Sequence, residues 1–182
     1  IVSLTAGQDY TMTGYYTDAD VGSGKTVRLQ LTLSNPNYLF DDGNSTRDLV
    51  VDQKFYPNTQ IEINQAAMPK FSDTMILNIV NNQTLTYKVK LPALPQPPGT
   101  CNYGGITYKI TGNTLNSRYY TEGASVDKNG VLTLPIQAVA ADTEGSIGTI
   151  RVLVRTKNYQ DAVLTVNVRA VNKIVPQKQS ID

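Results

Sequence analysis

The string Ala19-Asp20-Val21-Gly22-Ser23-Gly24-Lys25-Thr26 is the stretch whose residue types come nearest to chemistry. It fits a relaxed nucleotide-binding loop, with Ala in place of the first Gly of G-x-x-x-x-G-K-[ST]. In such a loop the backbone N–H groups and a helix N-terminus receive phosphates, so a buried strand must precede it and a helix must follow. Here Val27-Arg28-Leu29-Gln30-Leu31 alternates as a strand, and the preceding Gly14-Tyr15-Tyr16-Thr17 is no buried apolar strand. The string is therefore predicted to be a Gly-rich hairpin turn, with no nucleotide or other cofactor.

Other candidate chemistry thins out on the same kind of test. Asp18, Asp20 and Gly22, or Asp41, Asp42, Asn44 and Asp48, could be read as calcium loops. A hard cation wants about 6–8 oxygens, and neither run has EF-hand spacing. Asp and Asn capping turns are the plainer reading, and no metal site is expected. The three Glu (Glu62, Glu122, Glu144) and twelve Asp single out no carboxylate pair for glycoside hydrolysis. No His is present, which excludes Ser-His-Asp and Cys-His triads and imidazole metal ligands. The lone Cys101 allows neither an intrachain disulfide nor a thiolate zinc cluster. No catalytic residue is expected.

Tyrosine remains, with eleven copies and the adjacent pairs Tyr15-Tyr16 and Tyr119-Tyr120. On a strand, one member of each pair faces outward. An exposed Tyr ring can stack on a sugar or anchor a protein partner. Tyr is also simply a good strand former, and Trp, a stronger anchor, is absent. These four are the ligand-contact candidates. A Lys–Asn isopeptide crosslink would need both residues on adjacent strands beside a buried carboxylate. Lys88, Lys90 and Asn167 all fall on the outward parity of their segments, so no such site is expected.

The elements that must position these residues are strands. Val27, Leu29, Leu31 and Leu33 alternate with polar residues. So do Leu85-Tyr87-Val89-Leu91, Ile150-Val152-Val154 and Leu164-Val166-Val168-Ala170, with Leu153 and Val163 on the wet side. This is the period of a strand with one buried face. Tyr10-Met12, Ile61-Ile63, Ile106-Tyr108-Ile110 and Val131-Leu134 are shorter candidates. No window carries the apolar spacing of a helix, so a turn or two at most is expected. Asn35-Pro36-Asn37, Asp41 to Asn44, Thr143-Glu144-Gly145 and Asn129-Gly130 punctuate the runs, the last as a type I′ hairpin signal.

The 182 residues fit one large domain or two small ones. A break is placed near Asn64 to Asp73, which gives residues 1–66, 67–174 and a tail or linker at 175–182. The first segment is short for a complete sandwich; it is expected to lean on its neighbour or to lack a preceding strand. The second, about 100 residues long, is the size of an immunoglobulin-type sandwich. Pro92, Pro95, Pro97 and Pro98 cannot donate to a ladder, so that stretch is a crossing between sheets or a covering segment. With 16 Lys+Arg against 15 Asp+Glu, the chain lacks the basic footprint of a nucleic-acid binder. No apolar run approaches the roughly 18–20 residues that span a bilayer, and no membrane insertion is expected. Ile1-Val2-Ser3-Leu4 carries neither Met nor signal-peptide features, so the chain reads as a piece of a longer protein.

Thr17 to Leu33, Asn37-Tyr38-Leu39 and Gln60 to Pro69 together resemble the YDG-type β-repeats of large bacterial surface proteins. Those repeats run from a D-V-G-x-G-K turn through a strand and an N-Y-x-L element to a closing strand. The Y-D-G signature itself is absent. Gly123 to Leu134 and Gly148 to Val168, with Lys157-Asn158-Tyr159-Gln160-Asp161, are similar to a bacterial Ig-like module. The likeness implies an all-β chain of two tandem Ig-like β-sandwich domains, non-catalytic, in an extracellular or cell-surface protein. It implies a stalk or adhesion role, with neighbouring repeat domains as partners. A carbohydrate- or protein-binding module, contacting host or cell-wall glycan or protein, is the alternative.

Overall fold

The computed structural model describes residues 3–52, 54, 57, 60–80, 82–140 and 144–172. Among these every regular element is a strand and no helix occurs. The expected tail at 175–182 and Thr143 of one turn lie outside the described residues. The chain forms two compact units that divide between Gln65 and Ala66.

In the first unit, β1 (Tyr10–Tyr16), β3 (Val27–Leu33) and β4 (Thr46–Val51) make an antiparallel sheet of order β1-β3-β4. A short ribbon pairs β2 (Gly22–Ser23) with β5 (Glu62–Ile63). The register sets Met12 beside Leu31, and Gly14 beside Leu29 and then Leu49, so one face of the sheet is mainly apolar, with Arg47 beside Leu31. The other face carries Thr13, Gln30 and Asp48. The apolar face is thinly covered: Met12 and Leu49 are exposed, and Ile61 is the one buried hydrophobic among the unit's described residues. A sheet that buries so little apolar area has little to offset its chain entropy. Scanning calorimetry of the whole chain is expected to resolve two transitions, the first unit melting at the lower temperature. A single cooperative transition would contradict that expectation.

The second unit is built from two sheets. β7 (Leu85–Lys90), β10 (Val131–Ile136) and β9 (Ser125–Val126) form one, of order β7-β10-β9. β6 (Thr74–Val80), β12 (Ala162–Val171), β11 (Gly145–Thr156) and β8 (Ile106–Asn113) form the other, of order β6-β12-β11-β8. Its pairings are antiparallel except β6 with β12, which is parallel. Both sheets feed one buried cluster: Leu132, Leu134 and Ile136 from the first, and Ile79, Ile150, Val152, Val154, Leu164, Val166 and Val168 from the second. That is the two-layer packing of a β-sandwich. The Pro-rich stretch carries the chain from β7 in one sheet to β8 in the other, a crossing between sheets.

Two local features refine the expectation. Asn129-Gly130 does sit in a hairpin, between β9 and β10, but the turn is not type I′. Only Gly130 has a positive φ (72°). Gly130 N–H donates to Asp127 O (3.0 Å), and Asp127 N–H donates to Val131 O (3.1 Å). This is a type I turn closed by a left-handed Gly, which also matches strand twist. Pro135 sits in β10 without loss, because Gln137, of the same parity, sends its N–H away from β7 to Tyr119 O (2.8 Å). The missing N–H of Pro135 therefore points off the β7 ladder, past the end of the short β9.

Candidate functional site

The would-be nucleotide loop is held as a β connection. Thr17 N–H donates to Thr26 O (3.1 Å), closing the link between β1 and β3. Lys25 pairs with the Asp18 carboxylate (2.6 Å), which also accepts the Asp20 N–H (2.9 Å). The Lys25 hydrogen bond, then the Asp20 amide, hold the Asp18 carboxyl below its usual range. The Lys is thus turned onto a neighbouring turn carboxylate, and a strand rather than a helix follows.

The other acidic turns are likewise engaged. Asp42 caps Asn44 N–H (3.0 Å), and Arg47 pairs with Asp41 while its guanidinium lies 4.5 Å from the Phe40 ring centroid. The carboxylates whose pKa is displaced, Asp9, Asp18, Asp41 and Asp42, all move down. A general acid needs the opposite direction. Among the described residues no three His, Cys, Asp or Glu side chains converge as a metal site.

The four candidate tyrosines take different positions. Tyr15 is 62% exposed and lies opposite Arg28 on the polar face of its sheet. Tyr16 is on the apolar face, and its hydroxyl donates to Glu62 O (3.1 Å). Tyr119 is in the core of the second unit at 9% exposure. The Tyr120 hydroxyl accepts the Ala124 N–H (2.9 Å). Tyr119 and Tyr120 lie in a turn rather than a strand, so the outward–inward alternation does not govern them.

Two features were not singled out as sites from the sequence. The first is a groove of about 350 Å³ beneath the Pro-rich crossing, lined by Lys90, Leu94, Pro95, Tyr103, Ile106 and Tyr108. Tyr103 donates its hydroxyl to Pro95 O (2.6 Å), pinning the crossing over β8. Burial pushes the Tyr103 and Tyr108 hydroxyls up from their ordinary pKa.

The second is a clasp at the β11–β12 turn, inside the Lys157-Asn158-Tyr159 motif. Asn158 is buried, and its amide donates to Asn102 O (3.1 Å). Its backbone carbonyl accepts Ala66 N–H (3.0 Å), and Gln160 N–H donates to Ala66 O (2.8 Å). Tyr159 is also buried, with its ring 5.1 Å from that of Tyr103. Arg155 forks onto Asp161 beside it (3.0 Å). The clasp thus joins three distant stretches of the second unit. Asn158→Ala is expected to cost about 1 kcal/mol, the ordinary net worth of the lost hydrogen bond to Asn102 O. Urea denaturation reads this, and Asn158→Asp is expected not to restore it, since a carboxylate cannot donate to Asn102 O.

Comparison with family models and with curated proteins returns no match.

Proposed function

We propose that the chain is a non-catalytic module of a bacterial cell-surface or secreted multidomain protein, serving outside the cell as a stalk or adhesion segment. The observation that carries this is the strand order of the second unit. With β6 to β12 taken in turn as the seven strands A to G, β7-β10-β9 is B-E-D and β12-β11-β8 is G-F-C. The order is similar to that of the two sheets of an Ig-type sandwich, with the first strand beside G instead of beside B. The order supports the Ig-like reading of residues 67–174. For residues 1–66 the YDG-type reading rests on the turn and strand motifs of the sequence. Neighbouring repeat domains of the same chain are the primary partners, and the near-neutral charge argues against nucleic acid.

The second reading, a carbohydrate- or protein-binding module, is favoured by the Tyr103–Tyr108 groove and by the exposed Tyr15. A glycan array probed with this chain separates the two. The stalk reading expects silence across the array. Saturable binding to one glycan class, abolished by Tyr108→Ala or Tyr15→Ala, would replace it with the second reading.

A further inference from the structure

We propose that the parallel pairing of β6 with β12 is the force-bearing clamp of the second unit. β6 is the first strand of that unit and β12 the last. They pair in unbroken register from Thr74↔Thr165 to Val80↔Val171. Because the pairing is parallel, tension on the two chain ends pulls the Thr74 end of one strand and the Val171 end of the other in opposite directions. Those ends lie at opposite limits of the ladder. Every hydrogen bond between them is therefore loaded sideways and together. An antiparallel pair held the same way would put both ends at one limit, and its bonds would open one at a time.

The ladder's phase and the core resist sliding as well. Thr165 N–H donates to Asp73 O (2.8 Å), so the N–H groups of Met75, Leu77 and Ile79 alternate toward β12. Val80 N–H, of the other parity, turns away to the Tyr87 hydroxyl (2.8 Å). Leu77 and Ile79 are buried in the same cluster as Val166, Val168 and Ala170. A slip by one residue would rotate Leu77 and Ile79 out of that cluster while breaking the ladder. The ends are stitched too. Ala66 is bonded to Asn158 and Gln160 ahead of β6, and the Asn172 amide donates to Glu144 just past β12. That the clamp serves a load in life rests on the stalk reading; that it resists shear rests on the topology alone.

The test is single-molecule force spectroscopy on the whole chain in a Cys101→Ser background, with handles in two arrangements. One pulls the two chain ends. The other pulls the N-terminal end against Gln160→Cys, an exposed position just before β12. In the second arrangement both loaded points lie at the same limit of the β6–β12 ladder, so the pair peels. The event of the second unit is recognised by its larger length increment, since that unit holds more of the chain. End-to-end pulling is expected to need a several-fold higher force than the peeling arrangement. Equal forces, or a higher force on peeling, would overturn the clamp. The stalk reading is judged separately on the glycan array, so the two can fail independently.

Discussion

Leu134→Ala is expected to destabilise the second unit by about 2–5 kcal/mol, the range for truncating a buried leucine in a rigid core. Leu134 is fully buried in β10 and belongs to the cluster fed by both sheets. Its strand pairs with β7 and β9, and its side chain closes the layer against residues of β11 and β12. Removing it leaves a void that two hydrogen-bonded sheets cannot collapse into without breaking register. Against a total of about 5–15 kcal/mol for a typical domain, that loss is a large share of the unit's stability. Urea titration of the second unit's transition measures it, with the slope expected unchanged. Leu85→Ala is the matched control. Leu85 pairs with Ile136 on the same face but is 42% exposed at the sheet's end, and its loss is expected to stay below about 1 kcal/mol. Equal losses at the two positions would mean that the core between the sheets is not the principal source of stability.

The same alternation that makes Leu134 buried made much of the fold legible. The period of Val27 to Leu33 predicts a strand, and β3 has the same bounds. The alternations at Leu85, Ile150 and Leu164 mark β7, β11 and β12, and the predicted outward Val163 is exposed. Leu85 departs from its parity at the sheet's end, where it is 42% exposed.

What the alternation hid has a physical cause too. β6 carries Met75, Ile76, Leu77, Ile79 and Val80, apolar on both parities. Such a stretch has no period-two signal, although it is the edge strand on which the clamp depends; Ile76 is simply left exposed. β11 begins five residues before Ile150, at Gly145, the last residue of the turn signal Thr143-Glu144-Gly145. The tyrosine pairs were visible as types but not as positions, because Tyr119 and Tyr120 fall where the chain turns. The Asn158 clasp depends on stretches far apart in sequence, Asn102 with Asn158, and the groove on the closure of an irregular loop, Pro95 with Tyr103. Local pattern carries no information about such closures. The Lys–Asn crosslink was the opposite case. Parity alone argued against it, and Lys88 and Lys90 are indeed exposed on one sheet while Asn167 lies on the other.

Gly148→Ala is the substitution expected to be as damaging as any core truncation, though it adds a single methyl. Gly148 follows the register shift in β11 between Ser146 and Gly148, where the strand leaves regular pairing with β12. There β11 reaches beyond β8: Asn116 N–H donates to Ile147 O (2.9 Å), Thr114 N–H to Thr149 O (2.9 Å), and Thr149 N–H to the Thr114 hydroxyl (3.0 Å). These bonds draw the two backbones together over Gly148. A Cβ at that position would stand 2.4 Å from Thr114 O and 2.6 Å from Leu115 Cα, atoms that no side-chain rotation can move. The φ of +133° is a second obstacle for any residue with a Cβ. Gly145→Ala separates the two obstacles. Its φ is +105°, but nothing lies within 4 Å of an added Cβ, so it bears the conformational cost alone. That cost is about 1–3 kcal/mol. Gly148→Ala is expected to exceed it clearly and to shift the second unit's urea midpoint by the larger amount, because relief of the clash must break the Thr114–Thr149 bonds that hold the bulge. If the two alanines cost the same, the close backbone approach at the bulge contributes nothing and the positive φ accounts for the whole requirement for glycine.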